Sequence, residues 1–132
     1  MDTLSVQTRQ RNEFVDITEP VRDSLRRGGV RDGLGIVYCP HTTAAITINE
    51  HADPDVVHDV LLWLERAVPH RQEGFRHDEG NSDSHIKASL IGSSATVIVA
   101  NGNLVLGTWQ GVFFCGFDGP RRRTVHVRWV AS

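Results

Sequence analysis

The sequence has two cysteines, one methionine, one tyrosine, and no apolar run near the roughly 20 residues that span a bilayer. That excludes a membrane-crossing helix as an expectation, and no membrane partner is expected. Cys39 and Cys115 lie in separate apolar runs, each without a CxxC companion, so a cysteine zinc centre is not expected. Both read as buried thiols acting as small hydrophobes. A reducing cytosol argues against a disulfide between them. Neither sign of charge is in excess: the formal net charge is -2. That is no electrostatic footprint for nucleic acid or an anionic surface. The basic cluster Arg121, Arg122, Arg123 is local and reads as a solvated turn. Met1-Asp2-Thr3 lacks the basic and apolar regions of a secretory signal, so a cytoplasmic location is expected. No repeat, low-complexity tract or long linker interrupts the 132 residues, which suit one domain, 1–132.

Periodicity supplies the elements. Leu4 to Thr8 alternates as a half-buried strand, and Phe14 to Ile17 reads as a second. Thr18 is expected to cap a helix that Gly28-Gly29 ends, with Pro20 in its first turn. Gly35 to Cys39 is nearly all apolar and reads as a strand buried on both faces, with Ala44 to Asn49 beside it. Asp53 caps the next helix, Pro54 opens it, and Val56, Val57, Val60, Leu61, Leu64 and Val68 recur at helical spacing up to Pro69. A polar loop, 69–82, precedes a short helix from about Ser84 to Leu90. Strands follow at Ala95–Val99, Leu104–Leu106, Gly111–Phe117 and Arg123–Val130. Asn101-Gly102 is a hairpin turn, and Gly116 reads as a bulge. Helices early and antiparallel strands late predict an α+β fold rather than alternating βα units.

The seven histidines do not read alike. His41 follows a strand in a Pro-His-Thr-Thr corner, where side chains are held rigidly yet face solvent. His77 and His85 bracket a stretch rich in carboxylates and small residues. Imidazole is the commonest ligand for Zn²⁺ and its neighbours. A fold-back would bring both rings to one ion, and His41 would complete three ligands with one position open. Asp78, Glu79 and Asp83 would orient the imidazoles. The spacing matches no standard zinc motif, so a solvated acidic loop stands beside that reading. Asn49 and Glu50 have no capping task and are candidate site residues, whereas Asp53 has its cap. His58, His70 and His126 read as surface residues. Gly107-Thr108-Trp109-Gln110-Gly111 offers an indole to stack on a planar ligand or to cover the core edge, and an amide to fix the ligand's rim. Gly92-Ser93-Ser94 offers hydroxyls, and Lys87 and Arg121 offer positive charge to a phosphate.

Three long motifs resemble one family. His41-Thr42-Thr43 through Asn49-Glu50 to Ala52-Asp53-Pro54 is the first, and Glu79-Gly-Asn-Ser-Asp-Ser-His85-Ile-Lys87 through Gly92-Ser-Ser94 the second. Gly107-Thr-Trp-Gln-Gly111 with Phe117-Asp-Gly-Pro-Arg121 is the third. In order and over nearly the whole chain, they resemble the YjbQ-like family. The resemblance implies a mostly antiparallel β-sandwich or barrel-like sheet with two to three helices, assembled as a homotrimer. It also implies a site near the subunit interface with a divalent metal, often zinc, on His41, His77 and His85. Some members are described as secondary thiamine-phosphate synthases, which join hydroxymethylpyrimidine diphosphate to thiazole phosphate. For this chain it implies catalytic roles around Asn49, Glu50, Asp53 and Lys87. A small phosphorylated substrate would be held by Thr42, Thr43, Ser94, Thr108, Trp109, Gln110 and Arg121. His51 stands where the family often has Asn. A metal-dependent hydrolase and a non-catalytic trimer binding a metal or metabolite are the competing expectations.

Overall fold

Alternation along the strands decides which side chains turn inward, and two facing sheets result. The computed structural model describes residues 1–132. Its elements are β1 (Asp2–Gln7), β2 (Glu13–Asp16), α1 (Thr18–Gly28), β3 (Gly33–Tyr38), β4 (Ala44–Glu50), α2 (Pro54–Ala67), α3 (Ser82–Ile91), β5 (Ser94–Ala100), β6 (Asn103–Val105), β7 (Gln110–Gly116) and β8 (Arg122–Ala131). A five-stranded sheet runs β1-β8-β3-β5-β6 and a three-stranded sheet runs β2-β7-β4, every pair antiparallel. Together they form a curled half-barrel, and the fold is α+β.

Between the sheets Val37, Cys39, Val97, Val125 and Val127 of one meet Ala44, Ile46, Val112 and Phe114 of the other, with Val21 of α1 closing one side. A second core joins Phe113, Cys115 and Phe117 to Leu64 of α2 and Ala88 of α3. Enclosing each large apolar side chain contributes roughly 1.5–3 kcal/mol. Both cysteines are free and buried, as their apolar runs imply. No helix is long and apolar enough to cross a membrane.

Four local expectations are corrected. Thr18 does not cap α1 with its side chain. Asp16 Oδ1 instead accepts from Thr18 N at 2.9 Å and from Thr18 Oγ1, whose oxygen accepts from Val112 N at 2.9 Å. β3 is buried on one face only: Leu34, Ile36 and Tyr38 are exposed. Gly116 makes no bulge, because it pairs in register with Glu13 and Ala44. Its missing side chain is needed for close approach, since a Cβ there would stand 2.9 Å from Thr8 Cγ2. Arg123 is not in a solvated turn but faces inward from β8, in one row with Val125 and Val127. The cap of α2 is as expected: Asp53 accepts from Asp55 N at 2.9 Å ahead of Pro54.

Candidate functional site

β4 divides the candidate residues into two groups. His41, Thr42 and Thr43 lead into its start at Ala44, while Asn49 and Glu50 end it. Six strand steps of about 3.3 Å separate the ends by about 20 Å.

The first group surrounds a cleft of about 570 Å³ lined by Tyr38, His41, Thr42, His85, Ser89 and Ser93 among others. β3 ends at this cleft and α3 forms its opposite wall. Backbone bonds from Cys39 N to Ser93 O at 2.8 Å and Ile46 N to Gly92 O at 3.1 Å tie the end of α3 to both sheets. His41 Nε2 accepts from Thr124 N at 3.0 Å, which fixes the ring and leaves Nδ1 free. Burial, then the charge of Arg123, hold this imidazole below its ordinary value, so it is neutral at pH 7.

Beside the first cleft, towards the start of α3, lies a second cleft of about 520 Å³, lined by Phe75, Arg76, His77, Ser82, His85 and Ile86. His85 borders both clefts. Its ring meets His77 edge to face, with centroids 5.3 Å apart. Two imidazoles on one tetrahedral ion, with Zn–N bonds of about 2.0–2.1 Å, place their centroids about 5 Å apart, a separation of the size seen here. His41 does not join them: no cluster of three or more His, Cys, Asp or Glu with metal-holding geometry occurs within the chain. The fit therefore extends to two of the three histidines.

The expected carboxylate support is different too. Asp83 turns away from the histidines, wholly enclosed, and accepts from Arg11 through both oxygens at 2.8 and 3.0 Å and from Lys87 Nζ at 3.2 Å. Lys87 is 2 % exposed and also donates to Asn12 Oδ1 at 3.1 Å. It lines neither cleft, and its bonds pin α3. Asn81 Nδ2 donates to Asp118 at 2.8 Å and Ser84 Oγ to Phe117 O at 2.6 Å, which fix the start of the same helix. The bonds below α3 therefore set where His85 stands. Ser94 begins β5 as an exposed residue beside this group, opposite Tyr38, and Arg121 is exposed near Asp118.

The second group lies at the other end of β4. Trp109 is 61 % exposed and shares a hollow of about 490 Å³ with Glu50, Ala52, Asp53 and Pro54. It does not cover the core. Thr108 is exposed in the same turn. Gln110 Oε1 accepts from Gly107 N at 2.8 Å, so this amide holds its own loop. Asn49 Oδ1 accepts from Glu50 N at 2.7 Å, and Glu50 Oε2 accepts from Asp53 N at 3.3 Å, so all three carry turn and cap bonds. His51 belongs here. Its Nδ1 lies 2.8 Å from Asp16 Oδ2, and its ring rests on Gly111, where a Cβ would overlap it.

Sequence reasoning missed Arg123, 4 % exposed, whose Nη2 donates to Thr43 Oγ1 at 2.6 Å. The signal was present: the inward alternation of Val127 and Val125 continues to residue 123.

The chain matches the family described as UPF0047 protein YjbQ-like over residues 2–132. It is 50 % identical over 128 residues to UPF0047 protein YugU of Bacillus subtilis strain 168, covering 97 % of each chain. Against a UPF0047 protein of Methanocaldococcus jannaschii it is 50 % identical over 127 residues, covering 96 % of this chain and 91 % of that one. A crystal structure of a conserved YjbQ/UPF0047 family protein from Clostridium acetobutylicum superposes with a TM-score of 0.96 at 50 % identity, covering 98 % of this chain and all of that one. A YbjQ-like protein of unknown function from Sulfolobus solfataricus P2 gives 0.94 at 30 % identity, covering 99 % and 96 %.

Proposed function

The chain belongs to the YjbQ-like UPF0047 family, and from that premise we propose that it is a metal-supported transferase of a small phosphorylated substrate. The nearest chemistry is that of secondary thiamine-phosphate synthases, which join hydroxymethylpyrimidine diphosphate to thiazole phosphate and release diphosphate. One observation carries the reading: His77 and His85 meet at 5.3 Å, and His85 also borders the cleft that His41 lines. A divalent ion on that pair, zinc by the preference of imidazole, supplies positive charge to a departing diphosphate. The chain's own residues bind and orient. Thr42, Ser89 and Ser93 present polar groups in the cleft, and Arg121 is near enough for its charge to act on His41. Neutral His41, with Nε2 accepting from Thr124 N, carries its proton on Nδ1 and can donate it to a substrate oxygen.

The reading includes a homotrimer. Leu34, Ile36, Ile98, Val105 and Val130 expose one apolar face of the five-stranded sheet, with Leu34 directly between Ile98 and Val130. Tyr38 continues that face into the cleft. A neighbour seated there stands beside the first group. In a closed head-to-tail ring its Trp109 end can serve the same substrate, which one chain cannot arrange across 20 Å or so of strand.

The test is elemental analysis of protein purified without added metal, beside His41→Ala, His77→Ala and His85→Ala, followed by turnover of the two-substrate pair. Near-stoichiometric metal is expected in the parent, lost in His77→Ala and His85→Ala and reduced in His41→Ala. Unchanged metal in His85→Ala overturns the ligand assignment. Hydrolysis of one phosphate ester without a second substrate assigns a hydrolase instead. Metal binding with no turnover of any candidate assigns a binding protein.

A further inference from the structure

Two cations are enclosed in this chain, and the fold treats them differently. Lys87 faces the carboxylate of Asp83 at 3.2 Å. Arg123 has no carboxylate within ion-pair distance. Its Nη2 donates to Thr43 Oγ1, its Nε is sealed from solvent without a partner, and its Nη1 has no protein partner either. Asp118 is close enough to be felt by Arg123 but is already hydrogen-bonded by Asn81 Nδ2 and lies 4.0 Å from Arg121. Asn81 Oδ1 is the chain's other enclosed atom without a partner. An enclosed charge with no counter-ion is costly to the fold, and an unsatisfied enclosed donor adds to that cost. Arg121 thus has only a long pair with Asp118, and Arg123 has none.

The position matters. Thr43, which Arg123 holds, lies between Thr42 and Ala44, and both line the first cleft. Thr124, next to Arg123, donates to His41 in the same wall. Arg123 therefore stands one residue behind the cleft surface. We propose that Arg123, with Arg121 beside it, is the seat of a phosphoryl oxyanion entering this cleft. A phosphate supplies the missing counter-charge and accepts from Nη1, the guanidinium nitrogen that is neither sealed nor engaged. The proposal rests on the reading of a phosphorylated substrate and names the residue that holds its phosphate.

Inorganic phosphate and diphosphate are the probes, titrated against the whole protein and against Arg123→Lys and Arg123→Gln by calorimetry. Saturable binding is expected in the parent. It should weaken roughly tenfold in Arg123→Lys, which keeps charge but loses the fork, and further in Arg123→Gln. In the parent, the Arg123 Nε–H resonance should shift with the same saturation curve. That measurement decides the matter even if the variants fail to fold. No binding in the parent, or binding that leaves both the Nε–H resonance and the Arg123→Lys affinity unchanged, overturns the seat. Phosphate held by Arg123 without turnover of any phosphorylated pair sinks the transferase reading alone. Turnover with phosphate binding indifferent to Arg123 sinks the seat alone.

Discussion

Gly35 lies beneath the ring of Trp129, where a Cβ would overlap Cζ3, and Trp129 Nε1 donates to Ser24 Oγ at 2.9 Å. The indole thus joins β8 to α1 across a gap that one methyl group fills. Gly35→Ala should cost about 1–3 kcal/mol, the usual penalty of overpacking, read as a lower urea midpoint with unchanged slope. His41 gives the residue scale a pH dependence. Its folded form is held below 6.5 by burial first and Arg123 next, whereas the unfolded chain recovers the ordinary value. Below about pH 6.5 the unfolded state takes up a proton that the folded state refuses, so stability is fullest above that pH and falls as pH drops towards the folded value. Urea midpoints between pH 7.5 and 5 should decline, and the decline should flatten in His41→Gln. An identical slope in the variant contradicts the assignment. At this scale the sequence was legible where a residue had one task. Asp53 before Pro54 reads as a cap and is one. It was not legible where a charge is enclosed: Arg123 sits in a run of three arginines, and burial depends on where β8 pairs.

α3 shows the same difficulty for a whole element. Its buried side chains are Asp83, Ser84, Lys87 and Ala88, so no apolar stripe marks it, and its start lies two residues before the expected Ser84. Polar bonds replace apolar burial. Asp83→Asn should cost about 3–5 kcal/mol, since Arg11 and Lys87 lose their shared carboxylate. Lys87→Met should cost less, because Arg11 still satisfies Asp83. Burial raises Asp83, but the bonds from Arg11 and Lys87 outweigh it and hold the carboxyl below 3.8. Its contribution is present above that pH and is lost as pH falls below it. If the network sets His85, Asp83→Asn should also weaken metal retention while His77 and His85 remain; intact retention would detach the two. Elements carrying apolar rhythm were legible, and so was the Asn101-Gly102 turn, with φ of 53° and 75°. β3 misled because its apolar run is real but faces two environments, one inside the half-barrel and one outside.

For the whole molecule, the exposed row on β3, β5 and β8 is the feature that a single chain leaves without a partner. Ile36→Asp places a charge in its middle and should convert a trimer to monomers in light scattering at micromolar concentration. A trimer that survives locates the contact elsewhere, and a monomeric parent removes the assembly. The separation of the two polar groups belongs to this scale as well. Their motifs are adjacent in sequence, and only the straightness of β4 reveals that they stand apart.

β8, the eighth strand in chain order, does not lie at an edge: it pairs β1 on one side and β3 on the other. The amino-terminal strand therefore has no place in the larger sheet until residues 122–131 have been synthesised. Folding cannot proceed from the first residue onward as the chain emerges. Both ends must meet late, through long loop closures that slow the search. Ending translation ahead of residue 122 would not trim a frayed tail but remove the middle of a sheet, and leave β1 and β3 with bare edges open to other chains.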